Sequence, residues 1–156
     1  MRKFWQQRVV GPTMALLKQG LTPEKLALTI ALGIGLGIIP VLGSTSLACA
    51  LAAFAFGLNQ PAIQAVNYLV YPLQIALLIP FLKLGSTLFG ASPVNWALSE
   101  ITAMVRADAL GTIRALWSVT WHAVVAWFLV AIPLVLILFI VLRPLLRIVA
   151  KRQEVV

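Results

Sequence analysis

Residues 26–82, LALTIALGIGLGIIPVLGSTSLACALAAFAFGLNQPAIQAVNYLVYPLQIALLIPFL, contain no Asp, Glu, Lys, Arg or His. They are nonetheless interrupted by Gly33, Gly35, Gly37, Pro40, Gly43, Gly57, Pro61, Pro72 and Pro80. As one helix, at about 1.5 Å per residue, they would extend roughly 85 Å, against a hydrocarbon core about 30 Å thick. The stretch therefore folds back on itself inside or across a bilayer, and the chain reads as an all-α integral membrane protein.

The composition agrees. The 156 residues are 62% hydrophobic and 10% charged, more apolar surface than a water-soluble core of this length could hide. The net charge of +8 sits mainly at the chain ends, beside apolar segments and without interleaved aromatics. Nucleic acid is therefore not an expected partner, whereas membrane lipids with anionic headgroups are. Cys49, the single cysteine, lies in the apolar block and reads as a small buried hydrophobe. No cofactor or metal set is expected.

Outward from the block, Thr22-Pro23-Glu24 is a helix start: a hydroxyl that can accept a backbone N–H, a proline where no donor is needed, and an acid at the positive end of the dipole. The apolar part of that helix, residues 26–39, is about fourteen residues long, too short for a comfortable crossing. Then come Gly37, Pro40 and Gly43 and the hydroxyl run Ser44, Thr45 and Ser46, which predict a sharp reversal and a hydroxyl-capped new helix. Residues 47–58 form a second short apolar helix. The pair reads as a re-entrant helical hairpin with its tip at membrane depth. Gly33 and Gly37, a GxxxG pair extended by Ala27 and Ala31, predict close helix packing.

Asn59-Gln60-Pro61 starts the next helix. Along it Gln60, Gln64, Asn67, Tyr71 and Gln74 recur at spacings of four, three, four and three, a polar stripe on an apolar helix. Amides cannot face hydrocarbon unpaired, so the stripe either bonds another helix or walls a polar cavity. Pro72 and Pro80 predict kinks in this transmembrane helix, and Pro72 cuts the stripe, which is expected to take Gln74 out of line with the rest. Chain exit is expected at residues 85–91, followed by an amphipathic interfacial helix over about 93–110. Glu100 and Asp108 on that segment read as surface charges. Residues 115–142 are the clearest crossing, with Trp117 and Trp121 at one interface and Arg143, Arg147, Lys151 and Arg152 at the other. His122 reads as an interfacial hydrogen bonder.

The expected organisation is a basic interfacial segment over residues 1–20 and one membrane domain over residues 21–156, ending in a basic tail from residue 143. Basic chain ends and a nearly balanced 84–114 connection place both termini in the cytoplasm. The crossings are then even in number: a hairpin that crosses nothing plus two spans, or three crossings in the first block plus one.

The run Thr22-Pro23-Glu24-Lys25-Leu26-Ala27, then Ala31-Leu32-Gly33 through Gly37 and Pro40 to Gly43, Leu58-Asn59, Pro72, Pro80 and Gly85 resembles the bacterial membrane family catalogued as domain of unknown function twenty sixty-two. The resemblance covers about residues 18–90. It implies a bacterial inner-membrane location, and some members of that family are joined to glycosyltransferase-like domains. The family usually places Asn where this chain has Tyr71, so no polar role carries over to that position. A looser similarity is to the lipid-handling family with paired re-entrant hairpins.

Two functions follow as expectations. In the first, the hairpin binds or translocates an anionic lipid or polyprenyl-phosphate carrier, with Gly37, Pro40, Gly43, Ser44, Thr45 and Ser46 as the tip and Asn59, Gln64 and Asn67 as the facing wall. A chain this short would then pair with a second copy. In the second, the chain is an accessory subunit packed in a larger membrane complex. No nucleophile–base pair, metal constellation or phosphate-loop motif is present in the sequence, so enzymatic activity is not expected.

Overall fold

The computed structural model describes residues 22–91 and 98–151, which form five helices: α1 Pro23–Gly37, α2 Thr45–Phe56, α3 Gln60–Leu88, α4 Leu98–Ala107 and α5 Ala109–Lys151. The expectations for residues 1–20, for the Ser92-Pro93 cap and for the tail beyond Lys151 lie outside the described residues. Among those described there is no strand.

α1 begins as its sequence dictates. Thr22 is extended (φ −69°, ψ 152°) and its hydroxyl accepts the Lys25 N–H at 3.2 Å. The helix stops because Pro40 has no N–H to give the Leu36 carbonyl, which instead accepts from Ile39 at 3.2 Å. Gly43 then takes φ +86°, a left-handed conformation that reverses the chain at little steric cost. α2 closes on Gly57 (φ 58°, ψ 44°), where Leu58 N–H reaches back to the Ala53 carbonyl at 2.8 Å and the Leu58 side chain packs beside Cys49, Ala53 and Ile63. α3 starts on Asn59, whose Oδ1 accepts the Ala62 N–H at 2.9 Å, and remains helical through Pro72 and Pro80. It continues to Leu88, into the stretch the sequence assigns to an exit. α5, at 43 residues, extends beyond residues 115–142 in both directions.

Contacts fix the arrangement. Gly33 abuts Val66, Gly37 abuts Asn67 and Val70, and Ile39 meets Gln74, so α1 and α3 run parallel. Both are antiparallel to α5: Glu24 pairs with Arg147, Gly35 abuts Val135, and Gly85 lies against the His122 backbone. α1 is thus sandwiched, with Gly33 and Gly37 toward α3 and Gly35 toward α5. Small residues are required on both sides, and Leu26, Ala27, Thr29, Ala31, Gly33, Gly35 and Gly37 are all buried. α2 returns to the starting end, where the Lys25 ammonium donates to the Gly57 carbonyl at 3.1 Å.

α3 and α5 are long and apolar enough to cross a membrane, yet only 17% of the apolar window of each is buried. A core helix of a soluble protein would be mostly buried. Phe54 and Leu69 are 89% and 81% exposed, an outer surface suited to hydrocarbon.

Candidate functional site

The polar stripe of α3 meets the start of α2. Gln64 Nε2 donates to the Ser46 carbonyl at 2.8 Å, and Asn67 Nδ2 donates to Ser46 Oγ at 3.2 Å and to Gln64 Oε1 at 3.3 Å. Further along, Gln74 Nε2 donates to the Ile39 carbonyl at 2.8 Å. Gln74 is 1% exposed, and its Oε1 has no hydrogen-bond partner. Pro72 therefore does not remove Gln74 from the face that meets the hairpin. Tyr71, by contrast, is turned outward.

Height along α3 follows from helical rise. Gln64 and Asn67 stand roughly 6 and 10 Å from the start of α3, Gln74 roughly 21 Å, and the helix end about 44 Å. The hairpin turn therefore lies beside the first half of α3 and stops about 20 Å short of its far end.

The start of α2 departs from the expected cap. Ser44 has helical angles (φ −83°, ψ −20°), and its hydroxyl donates back to the Val41 carbonyl at 2.9 Å instead of accepting from α2. A residue already in the helical region holds its side chain away from the next turn, so the cap is lost. No side chain among the described residues caps the first N–H groups of α2. Ser46 Oγ accepts from Asn67, which leaves its own proton to donate elsewhere. The turn thus concentrates donors, and among the described residues no formal charge is in contact with it.

The sequence-derived site residues separate into two groups. Thr45 and Pro40 are buried, Ser44 and Ser46 half-buried and Gly43 exposed at the turn, with Gln64 and Asn67 beside Ser46 and Gly37 behind Asn67. Asn59 is elsewhere: it caps α3 at the hairpin base, roughly 12 Å below Asn67. The amides facing Ser46 are largely spent on binding the hairpin.

Other residues join the arrangement without being foreseen. Trp127 Nε1 donates to the Gly35 carbonyl at 2.9 Å, beside an apolar groove of about 220 Å³ between α1 and α5. A tryptophan in the middle of a crossing, away from both interfaces, is itself a signal, because its buried N–H needs an acceptor. Glu24 accepts hydrogen bonds from Arg147, with Arg143 Nε at 3.7 Å. The Arg147 guanidinium, aided by the helix-start backbone, holds this exposed carboxylate below its ordinary pKa. His122 stacks on Phe89 with centroids 4.2 Å apart. Among the described residues there is no cluster of His, Cys, Asp and Glu able to hold a metal ion.

No curated protein and no solved structure matches the chain. The model of a family described as uncharacterized proteins conserved in bacteria (DUF2062) matches residues 11–154, nearly the whole length, and the chain belongs to that family.

Proposed function

We propose that the protein is a multi-pass protein of the bacterial inner membrane whose α1–α2 hairpin is re-entrant. It presents the uncapped start of α2 to the phosphate headgroup of an anionic lipid or polyprenyl carrier. The observation that carries this reading is the start of α2, whose first N–H groups have no side-chain acceptor because Ser44 Oγ bonds back to the Val41 carbonyl. At hydrocarbon depth such donors cannot stay unsatisfied, and a helix start binds an anion without a formal positive charge. The hairpin turn fits the depth required, since it ends beside the first half of α3. The basic base of the hairpin, with Lys25, Arg143, Arg147 and Lys151, would face the cytoplasm. A second copy would complete the enclosure, leaving the carrier's tail in lipid.

The test is binding of a polyprenyl phosphate, against the neutral polyprenol, to the full chain in nanodiscs. Ser44→Asp puts a negative charge beside the α2 start, where it repels an anion. It should abolish phosphate-dependent binding without unfolding the protein. Asn67→Ala should weaken the same binding. Unchanged binding in both variants, with normal folding, would sink the proposal.

A second reading, the accessory subunit, is favoured by the amides already spent on the hairpin and by exposed Tyr68, Leu69, Leu73, Ile75 and Ile79 on α3. Gly33 and Gly37 pack within the chain, so a partner surface would lie on α3 and not on the glycine row. Co-purification of a larger enzyme, lost on Leu69→Asn but not on Ser44→Asp, would establish it.

A further inference from the structure

Far from the hairpin turn, α5 carries Arg143 and Arg147 one turn apart, with Pro144 between them and Phe139 and Ile140 one turn deeper. These residues line a cavity of about 270 Å³. We propose that this notch seats the headgroup of an anionic glycerophospholipid, its phosphodiester on the Arg143 guanidinium and its first acyl carbons along Phe139 and Ile140.

The charge balance points this way. Two arginines share one carboxylate. Glu24 is taken by Arg147 through Nε and Nη2, while Arg143 comes no closer to it than 3.7 Å. Arg143 reaches Glu24 only as a 3.7 Å ion pair through Nε, beyond hydrogen-bond distance, so it is held more loosely than Arg147 and its guanidinium fork can serve a second anion. One further anion would neutralise the pair, and a phosphodiester matches the fork's geometry. The notch is also graded along the membrane normal. Its arginines lie toward the basic end of the bundle and its apolar residues toward the middle, the polarity order of a phospholipid. The notch is distinct from the α2 start, so this inference does not depend on the carrier reading.

The experiment is native mass spectrometry of the full chain released from nanodiscs of mixed phosphatidylglycerol and phosphatidylcholine. The wild type should retain phosphatidylglycerol selectively. Arg143→Gln should lower that selectivity about tenfold or more, the loss of a charge-assisted hydrogen-bonded pair. Arg143→Lys should lose less, keeping the charge without the fork. Lys151→Gln, outside the notch, should lower selectivity no more than about fivefold, the attraction of one basic side chain to an anionic surface. Equal losses in Arg143→Gln and Lys151→Gln would overturn the proposal in favour of diffuse attraction. Displacement of the lipid by millimolar inorganic phosphate would overturn it in favour of a free-anion site.

Discussion

The hairpin is held at two heights by two different chemistries. At its turn, neutral amides of Gln64, Asn67 and Gln74 bond to the Ser46 hydroxyl and to the Ser46 and Ile39 carbonyls. At its base, charged groups act: Glu24 with Arg147, and Lys25 with the Gly57 carbonyl. The difference follows from desolvation. A charge at hydrocarbon depth is expensive, whereas an amide there needs only a partner, and at the headgroup boundary long charged side chains reach water. The upper contact should therefore be insensitive to salt and pH, and the lower one sensitive to both.

The largest effect should come from the upper contact. Asn67→Ala removes both amide bonds and strands Gln64 Oε1, which should cost ~1–2 kcal/mol of stability in nanodiscs. Hydrogen exchange should quicken over Thr45–Phe56 while α5 stays protected. Gln74→Leu comes next, at about 1 kcal/mol or less, because it loses the bond to Ile39 but also removes an unpartnered acceptor from the core. A cost near that of Asn67→Ala would mean that Oε1 has a partner such as a bound water.

Acidification separates the two contacts. The Glu24 carboxylate is held below its ordinary pKa by Arg147, so its contribution is fully present above the unfolded carboxylate value and is lost as pH falls through the lowered folded value. Exchange near Thr22 should rise below the ordinary carboxylate range, while Ser46 and Ile39 stay unchanged. Glu24→Gln should remove the pH response. The smallest effect should be that of Lys25→Gln, an exposed donor to one carbonyl, with a stability change within about 0.5 kcal/mol.

Much of this frame is legible in the sequence because it rests on local chemistry. Thr22-Pro23 and Asn59-Gln60-Pro61 announce helix starts whose hydrogen bonds form as expected, and the uncharged block announces a membrane. The amide stripe is legible as a pattern, though its partner is not, since spacing on α3 cannot say that Ser46 lies opposite Asn67. Ser44 misleads: a hydroxyl before an apolar run reads as a cap, but Gly43 turns the chain so that Ser44 is already helical. Glu24 with Arg147 and Gly35 with Trp127 join residues far apart in the chain. No periodicity reports such a pairing, and each becomes visible only when α5 folds back along α1.

The central claim, that the hairpin enters and leaves by one face, is tested most directly by thiol labelling. Cys49→Ala would serve as background, carrying Ser44→Cys, Lys25→Cys or Asn59→Cys, with Thr87→Cys marking the far end of α3. Each would be probed with a membrane-impermeant reagent from either side. The account predicts that position 44 is reached only from the side that labels positions 25 and 59. Free labelling of position 44 from the side that labels position 87 would contradict it, making the turn an ordinary loop between two crossings.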